Sequence, residues 1–290
     1  MIRRRHFSGR VLESSLGLAL ALGATVPLRA QTMLPPADLD RLVARIALYP
    51  DPLLGQILSA STYSDQIPEA ASWSDHHHYL TGDALAAAIS GDHLSWDPSV
   101  QALLPFPSVL ETMAGDMNWT TQLGNAVLAQ RGDVMDAVQR DRHKAWDYGY
   151  LRSNGEILVG NGPFITILPA RPDYYVVPAY DPAVVFLAPR PGFVVGGAIS
   201  FGFGISIGAA FRPWGWGGVR IGWDSHAWFI GDHPWGRTWA NRATYVHPYG
   251  LPRYEAARRV ETHEQIGRSA REREEARRGH GRAEEEHHHH

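Results

Sequence analysis

The chain has 290 residues, 44% of them hydrophobic and 20% charged, with a formal charge of -3 and no cysteine. That length and composition suit one large globular core or two modest ones. The missing cysteine excludes a disulfide scaffold, a thiolate metal cluster, thiol catalysis and covalent haem attachment, and the slightly acidic balance gives no footing for nucleic-acid binding.

The N-terminus reads as an export signal, a signal peptide over residues 1–30. Arg3, Arg4, Arg5 and Arg10 form a positive n-region, residues 16–24 an apolar h-region, and Leu28-Arg29-Ala30 a cleavage motif that leaves Gln31 first. The apolar run is too short for a spanning helix. Arg4-Arg5-His6-Phe7 also fits a twin-arginine core, while an arginine-rich general secretory signal explains the same residues. Removing residues 1–30 leaves 22 basic and 29 acidic residues, net -7. A cysteine-free chain suits an oxidising compartment, so the expected location is periplasmic or secreted.

Residues 31–150 are expected to be helical. Leu39, Leu42, Val43 and Ile46 form an i, i+3, i+4, i+7 stripe that stops at Tyr49-Pro50. Asp51-Pro52 and Asp97-Pro98 each read as a capping Asp followed by Pro at the first helical position. Ser108 with Glu111 reads as a capping box, and Trp119, Leu123, Val127, Val134, Val138 and Ala145 keep the helical period on either side of Gly132. Six or seven short helices result, in a zone with 6 basic and 15 acidic residues.

Residues 151–254 change character. Residues 156–159 and 164–168 flank Gly160-Asn161-Gly162-Pro163 and predict a β-hairpin; residues 174–177 and 183–187 supply two more β-rich runs. Six of the ten tryptophans fall between positions 214 and 239, and the zone carries net charge +3. Residues 255–290, with 8 basic and 9 acidic residues and no aromatic, are expected to form a disordered charged tail, a solvated helix with Glu–Arg pairs being the alternative.

Several stretches are similar to a bacterial secreted family known as domain of unknown function 3300. They are residues 46–54 (IALYPDPLL), 56–63 (QILSASTY), 96–100 (WDPSV), 106–110 (FPSVL), 118–123 (NWTTQL), 133–139 (DVMDAVQ) and 176–184 (VVPAYDPAV). They occur in order over residues 38–187. The resemblance implies an exported envelope protein with helical and β parts, and it brings no assigned catalytic residue.

Familiar catalytic signatures are missing: there is no G-x-S-x-G, H-E-x-x-H or P-loop motif. His76, His77 and His78 are consecutive on an expected helix, so they cannot converge on one ion and read as surface residues beside a buried Trp73. His226, Asp232, His233 and His247 have suitable metal-ligand chemistry but fit no metal template. No cofactor is expected. Asp51, Asp97 and Asp181, each before Pro, are explained as caps or turn residues.

Residues 193–211 carry no charge between Arg190 and Arg212. Gly196, Ser200, Gly204 and Gly208 repeat every four residues, as on packed membrane helices. Ile199, Phe201, Phe203, Ile205 and Ile207 alternate with small residues, as on a strand whose bulky face is buried, and this pattern accounts for more positions. Trp214, Trp216, Trp223, Trp228, Trp235 and Trp239 either fill a glycine-rich core or offer a stacking surface for a glycan.

The expected fold is α+β: an N-terminal bundle of short helices packed on a small, mostly antiparallel sheet, then a Gly/Trp-rich C-terminal part and the charged tail. The leading functional expectation is a non-enzymatic envelope protein that binds or scaffolds a glycan or protein partner through the six tryptophans. The alternatives are an envelope hydrolase using acidic residues with His226 or His233, and a membrane-inserting or peripheral protein using residues 193–211.

Overall fold

The computed structural model describes residues 33–193, 195–251, 264 and 266–273; the expected export signal and the terminal histidines lie outside the described residues. Seven helices come first: α1 (Pro36–Val43), α2 (Asp51–Ser61), α3 (Ile67–His76), α4 (Gly82–Gly91), α5 (Pro98–Gln101), α6 (Pro107–Gly115) and α7 (Met117–Asp147). Five of them, α1, α2, α3, α5 and α6, carry proline in the first two positions, where a missing N–H costs nothing. Asp97 caps α5, accepting from Ser99 N at 2.9 Å, and Asp116 caps α7 through Trp119 N at 3.0 Å.

Two expected caps are corrected. Asp51 is the first helical residue of α2, with Pro50 in the cap position, and its carboxylate is engaged elsewhere. Ser108 lies inside α6, because Pro107 starts that helix one residue earlier and Phe106 takes the cap position. The long helix α7 spans 31 residues and breaks at Gln130, where φ is -146° and ψ 50°. The Gln130 side-chain amide stabilises the break by pairing with both Leu34 N (2.7 Å) and Leu34 O (3.1 Å).

Helix α2 is the centre of the core, and each of its eleven residues is buried. Its apolar residues face α7, α5 and the β zone, and Gly124 of α7 sits so close to Ser61 that any side chain there would overlap the Ser61 carbonyl. A helix buried on all sides must find partners for its polar groups as well as its apolar ones.

The β zone starts with the hairpin β1 (Ile157–Asn161) and β2 (Ile165–Pro169), in register from Ile157↔Pro169 to Asn161↔Ile165. Next come β3 (Tyr174–Tyr175), β4 (Pro178–Tyr180), a short helix α8 (Pro182–Val185), β5 (Ile199–Phe201), β6 (Ile205–Ser206), β7 (Val219–Gly222), β8 (Ala227–Ile230) and β9 (His233–Pro234). All pairings are antiparallel, but they form four small sheets, β1-β2, β3-β6, β4-β5 and β7-β8-β9. The expected strand over residues 183–187 is instead α8 at its start, because Asp181 accepts from Ala183 N at 2.8 Å and caps a turn opened by Pro182.

Residues 199–208 run extended, but the strand breaks between β5 and β6, a turn at residues 196–197 precedes it and a 3-10 helix over Ala209–Trp214 follows it. Ile207 is buried and Ile199, Phe201 and Ile205 are half-buried, whereas Phe203 is wholly exposed at 103%. No described helix is long and apolar enough to cross a membrane. After β9 the chain runs without regular structure to Leu251, yet His247 and Tyr249 in this stretch are buried. In the charged tail, Glu264 and residues 266–273 are helical, with Arg268 paired to Glu264 one turn away.

Candidate functional site: a polar cavity beside two locked networks

Three polar arrangements stand out, and their geometry separates structural from ligand-facing roles. The first joins Arg142, wholly buried on α7, to Asp51 at 2.6 Å. Arg142 also donates to the carbonyls of Ala47 (2.7 Å), Tyr49 (2.9 Å) and Ile165 (2.9 Å), and its guanidinium lies 4.8 Å from the Trp223 ring centroid. Asp51 accepts in turn from Trp223 Nε1 at 3.1 Å and Ile167 N at 3.3 Å. This network ties α7, the start of α2, β2 and the β7–β8 turn together, and it leaves no face open to a ligand.

The second surrounds His247. Its Nε2 lies 2.7 Å from Tyr63 OH and 2.6 Å from Asp97 Oδ2, and its Nδ1 lies 3.1 Å from Trp235 Nε1. An indole N–H only donates, so Nδ1 accepts and Nε2 carries the proton. Both ring nitrogens are engaged within the protein, so His247 has none left for proton transfer to a bound molecule. Burial alone pushes the Asp97 carboxyl up, but His247 and the two Ser99 donors outweigh it and hold it below the usual carboxylate range. Burial, with Asp97 beside it, pushes the Tyr63 phenol far up.

The third is open. A cavity of about 540 Å³ is bordered by Asp173, Arg212, Asp232 and His233, with Trp216 and Tyr249 at its floor. Its rim turns at Gly215 (φ 85°) and Gly217 (φ 82°), a left-handed backbone that favours glycine. Asp232, His233 and Arg212 are exposed. Trp216 donates inward to Ala102 O at 3.0 Å and Tyr249 OH to Gln56 Oε1 at 2.8 Å, and both side chains are buried beneath the cavity. The volume lies within the range of small-ligand pockets.

Of the four residues considered as metal ligands, Asp232 and His233 share this cavity, His247 is locked in its own network, and His226 pairs with Asp136 at 2.7 Å. Among the described residues no group of three or more His, Asp or Glu is placed to hold a metal ion. His76, His77 and His78 each bond through Nδ1 to a nearby carbonyl, and His77 stacks on Trp73 at 3.8 Å. Trp73 itself is half-buried rather than buried.

The tryptophans are distributed unevenly. Trp214, Trp216, Trp223, Trp228 and Trp235 are buried, and each indole N–H is bonded, to Gln101, Ala102, Asp51, Ser59 and His247 respectively. Trp228 and Trp235 stack on each other at 4.9 Å. Five of the six are therefore core residues, and a row of them does not form a surface platform. Trp239 is half-buried beneath Arg242. Asp173 and Arg212 carried no motif; the one local signal was the Arg171-Pro172-Asp173 turn, where Asp173 takes φ 56°.

The fold and cavity define an α+β protein built around one fully buried helix, with small antiparallel sheets carrying a polar cleft. The chain belongs to the family described as "Protein of unknown function (DUF3300)", which matches residues 35–233. It is also 33% identical over 267 residues to the "Uncharacterized protein YacH" of Escherichia coli (strain K12), covering 72% of this chain and 43% of that protein. The chain thus spans less than half the length of that relative. No solved structure matches it. The family match ends at the first residue of β9, before Trp235, His247 and Tyr249 complete the aromatic core.

Proposed function

We propose that this is an exported envelope protein that binds a glycan, without turning it over, in the cavity bordered by Asp173, Arg212, Asp232 and His233. The observation that carries the reading is the polar border of that cavity: two carboxylates, a guanidinium and an imidazole stand around a hollow lined by glycines, with Trp216 and Tyr249 buried beneath it. Sugar hydroxyls suit such a set of donors and acceptors. The export component rests on Arg3, Arg4, Arg5, Arg10 and the apolar run after them. Calorimetric titration of the mature chain with the N-acetylglucosamine disaccharide tests it. Binding that Asp232→Asn weakens about tenfold supports the reading, since a charge-assisted hydrogen bond contributes about 1.5–3 kcal/mol. Absence of binding overturns it.

One observation favours a second reading. Asp173, Asp232 and His233 share one cavity, which is the residue set a hydrolase needs for an acid and a base. Release of monosaccharide in the same titration would replace binding with hydrolysis.

A further inference from the structure

A second cavity opens where the helical zone meets the β zone, and it shares no lining residue with the polar cavity described above. Its volume of about 510 Å³ is within the range of small-ligand pockets. The link between α1 and α2 supplies Arg45 and Tyr49, helix α6 supplies Ser108 and Thr112, and the walls come from β4, α8 and the segment between β5 and β6. Tyr180 holds the link in place. Its hydroxyl donates to Ala44 O at 2.8 Å and accepts from Leu48 N at 3.3 Å, on either side of Arg45.

Two features of this cavity point to a ligand. Tyr49 borders it and is only 6% exposed, yet its hydroxyl meets no hydrogen-bond partner, whereas the neighbouring Tyr180 phenol has two. A buried hydroxyl left unpaired is costly, so its placement calls for an acceptor that the chain does not supply. Burial pushes this phenol up to about 12, so it keeps its proton and donates. The second feature is the charge. Arg45 is the one charged residue among those lining the cavity, and it pairs with Asp116 at 2.9 Å. The pair leaves free guanidinium donors but little net charge, which suits a monoanion better than a doubly charged phosphate monoester.

The rest of the lining is largely apolar. Val177, Pro178 and Pro182 form the wall, and Phe203, wholly exposed, stands at the mouth. An exposed phenylalanine beside such a wall is apolar surface that a hydrocarbon chain would remove from water.

We propose that this cavity binds a medium-chain fatty acid, its carboxylate accepting from Arg45 and the Tyr49 hydroxyl and its acyl chain lying along Val177, Pro178 and Pro182 towards Phe203. The site is separate from the glycan cavity and does not depend on that reading.

The test is calorimetric titration of the mature chain with decanoate, decanol and decyl phosphate, each below its aggregation concentration. Decanoate should bind at least about tenfold more tightly than either of the others. Tyr49→Phe keeps the ring and removes only the free hydroxyl. It should weaken decanoate about tenfold, spare decanol, and leave the Tm of the ligand-free chain unchanged, since no internal bond is lost. Arg45→Gln should also weaken decanoate about tenfold or more and spare decanol. Absence of decanoate binding overturns the proposal, as does equal affinity for decanol. Tighter binding of decyl phosphate overturns the carboxylate assignment, and decanoate binding that neither variant weakens overturns the site. A lowered Tm in ligand-free Tyr49→Phe shows the hydroxyl already partnered and overturns the proposal as well.

Discussion

Replacing Arg142 with Met should remove the one cation in a pocket built around it. The substitution keeps most of the side-chain volume, so the loss is polar rather than steric. Asp51 would keep its bonds from Trp223 Nε1 and Ile167 N but lose its counter-charge, and the carbonyls of Ala47 and Tyr49 would lose the donors at 2.7 and 2.9 Å. The Ile165 carbonyl retains Gln139 Nε2 at 3.0 Å and suffers least. Breaking a buried pair by removing one partner costs about 3–5 kcal/mol, equivalent to a fall of about 6–20 °C in Tm for a domain of this size. The assay is urea unfolding followed by tryptophan emission, to which Trp223 beside the guanidinium contributes. Asp51→Asn should cost a similar amount, and the double variant less than the sum by at least about 1 kcal/mol. A loss below about 1 kcal/mol in Arg142→Met, or strict additivity, would refute the claim that this pair ties the zones together.

Three further outcomes are expected. Burial pushes the Asp141 carboxyl up to about 6, only partly offset by Lys144 at 2.9 Å, so the folded protein takes up this proton before the unfolded chain does. Stability should therefore fall as pH rises from about 4 to about 6 and stay level above that. Asp141→Asn should stabilise by about 1–2 kcal/mol at pH ~7 and by little near pH ~4, and equal gains at both would contradict the assignment. Gly124→Ala drives a methyl group into the Ser61 carbonyl, backbone against backbone, and should cost about 3 kcal/mol by chemical denaturation; a cost under about 1 kcal/mol would show that α2 and α7 separate freely. Trp235→Phe retains the stack on Trp228 but leaves His247 Nδ1 without its donor, and should cost about 1–3 kcal/mol while the Nε2–H tautomer persists by NMR, because Asp97 Oδ2 still accepts from Nε2. A proton found on Nδ1 in the unsubstituted protein would refute the placement.

Local chemistry made the helical zone legible. Asp97-Pro98 is a start signal in the sequence and a cap in the fold, because both its meaning and its partner, Ser99, lie within two residues. The identical dipeptide at Asp51-Pro52 misleads, because the Asp51 carboxylate is claimed by an arginine 91 residues away. The same limit governs the aromatic zone. That five tryptophans fill a core is compatible with a glycine-rich composition, but nothing near Trp214 or Trp228 signals Gln101 or Ser59 as partner. The cavity was half legible: Asp232 and His233 stood out by chemistry, whereas Asp173 and Arg212 join them only through tertiary packing. The alternation over residues 198–208 forecast an extended chain and overstated its burial, since Phe203 points away from the core.

The burial of α2 has a consequence for the order in which the molecule is assembled. Gln56 bonds to Trp214 O and to Tyr249 OH, 158 and 193 residues later, and Ser59 Oγ waits for Trp228, 169 residues on. A chain made N-terminus first exposes this apolar helix for almost the whole of its synthesis, because the surfaces that cover it arrive last. Early segments thus lack the partners that bury this helix until the last of the chain is made. The final fold snaps shut only once residues near position 249 have emerged.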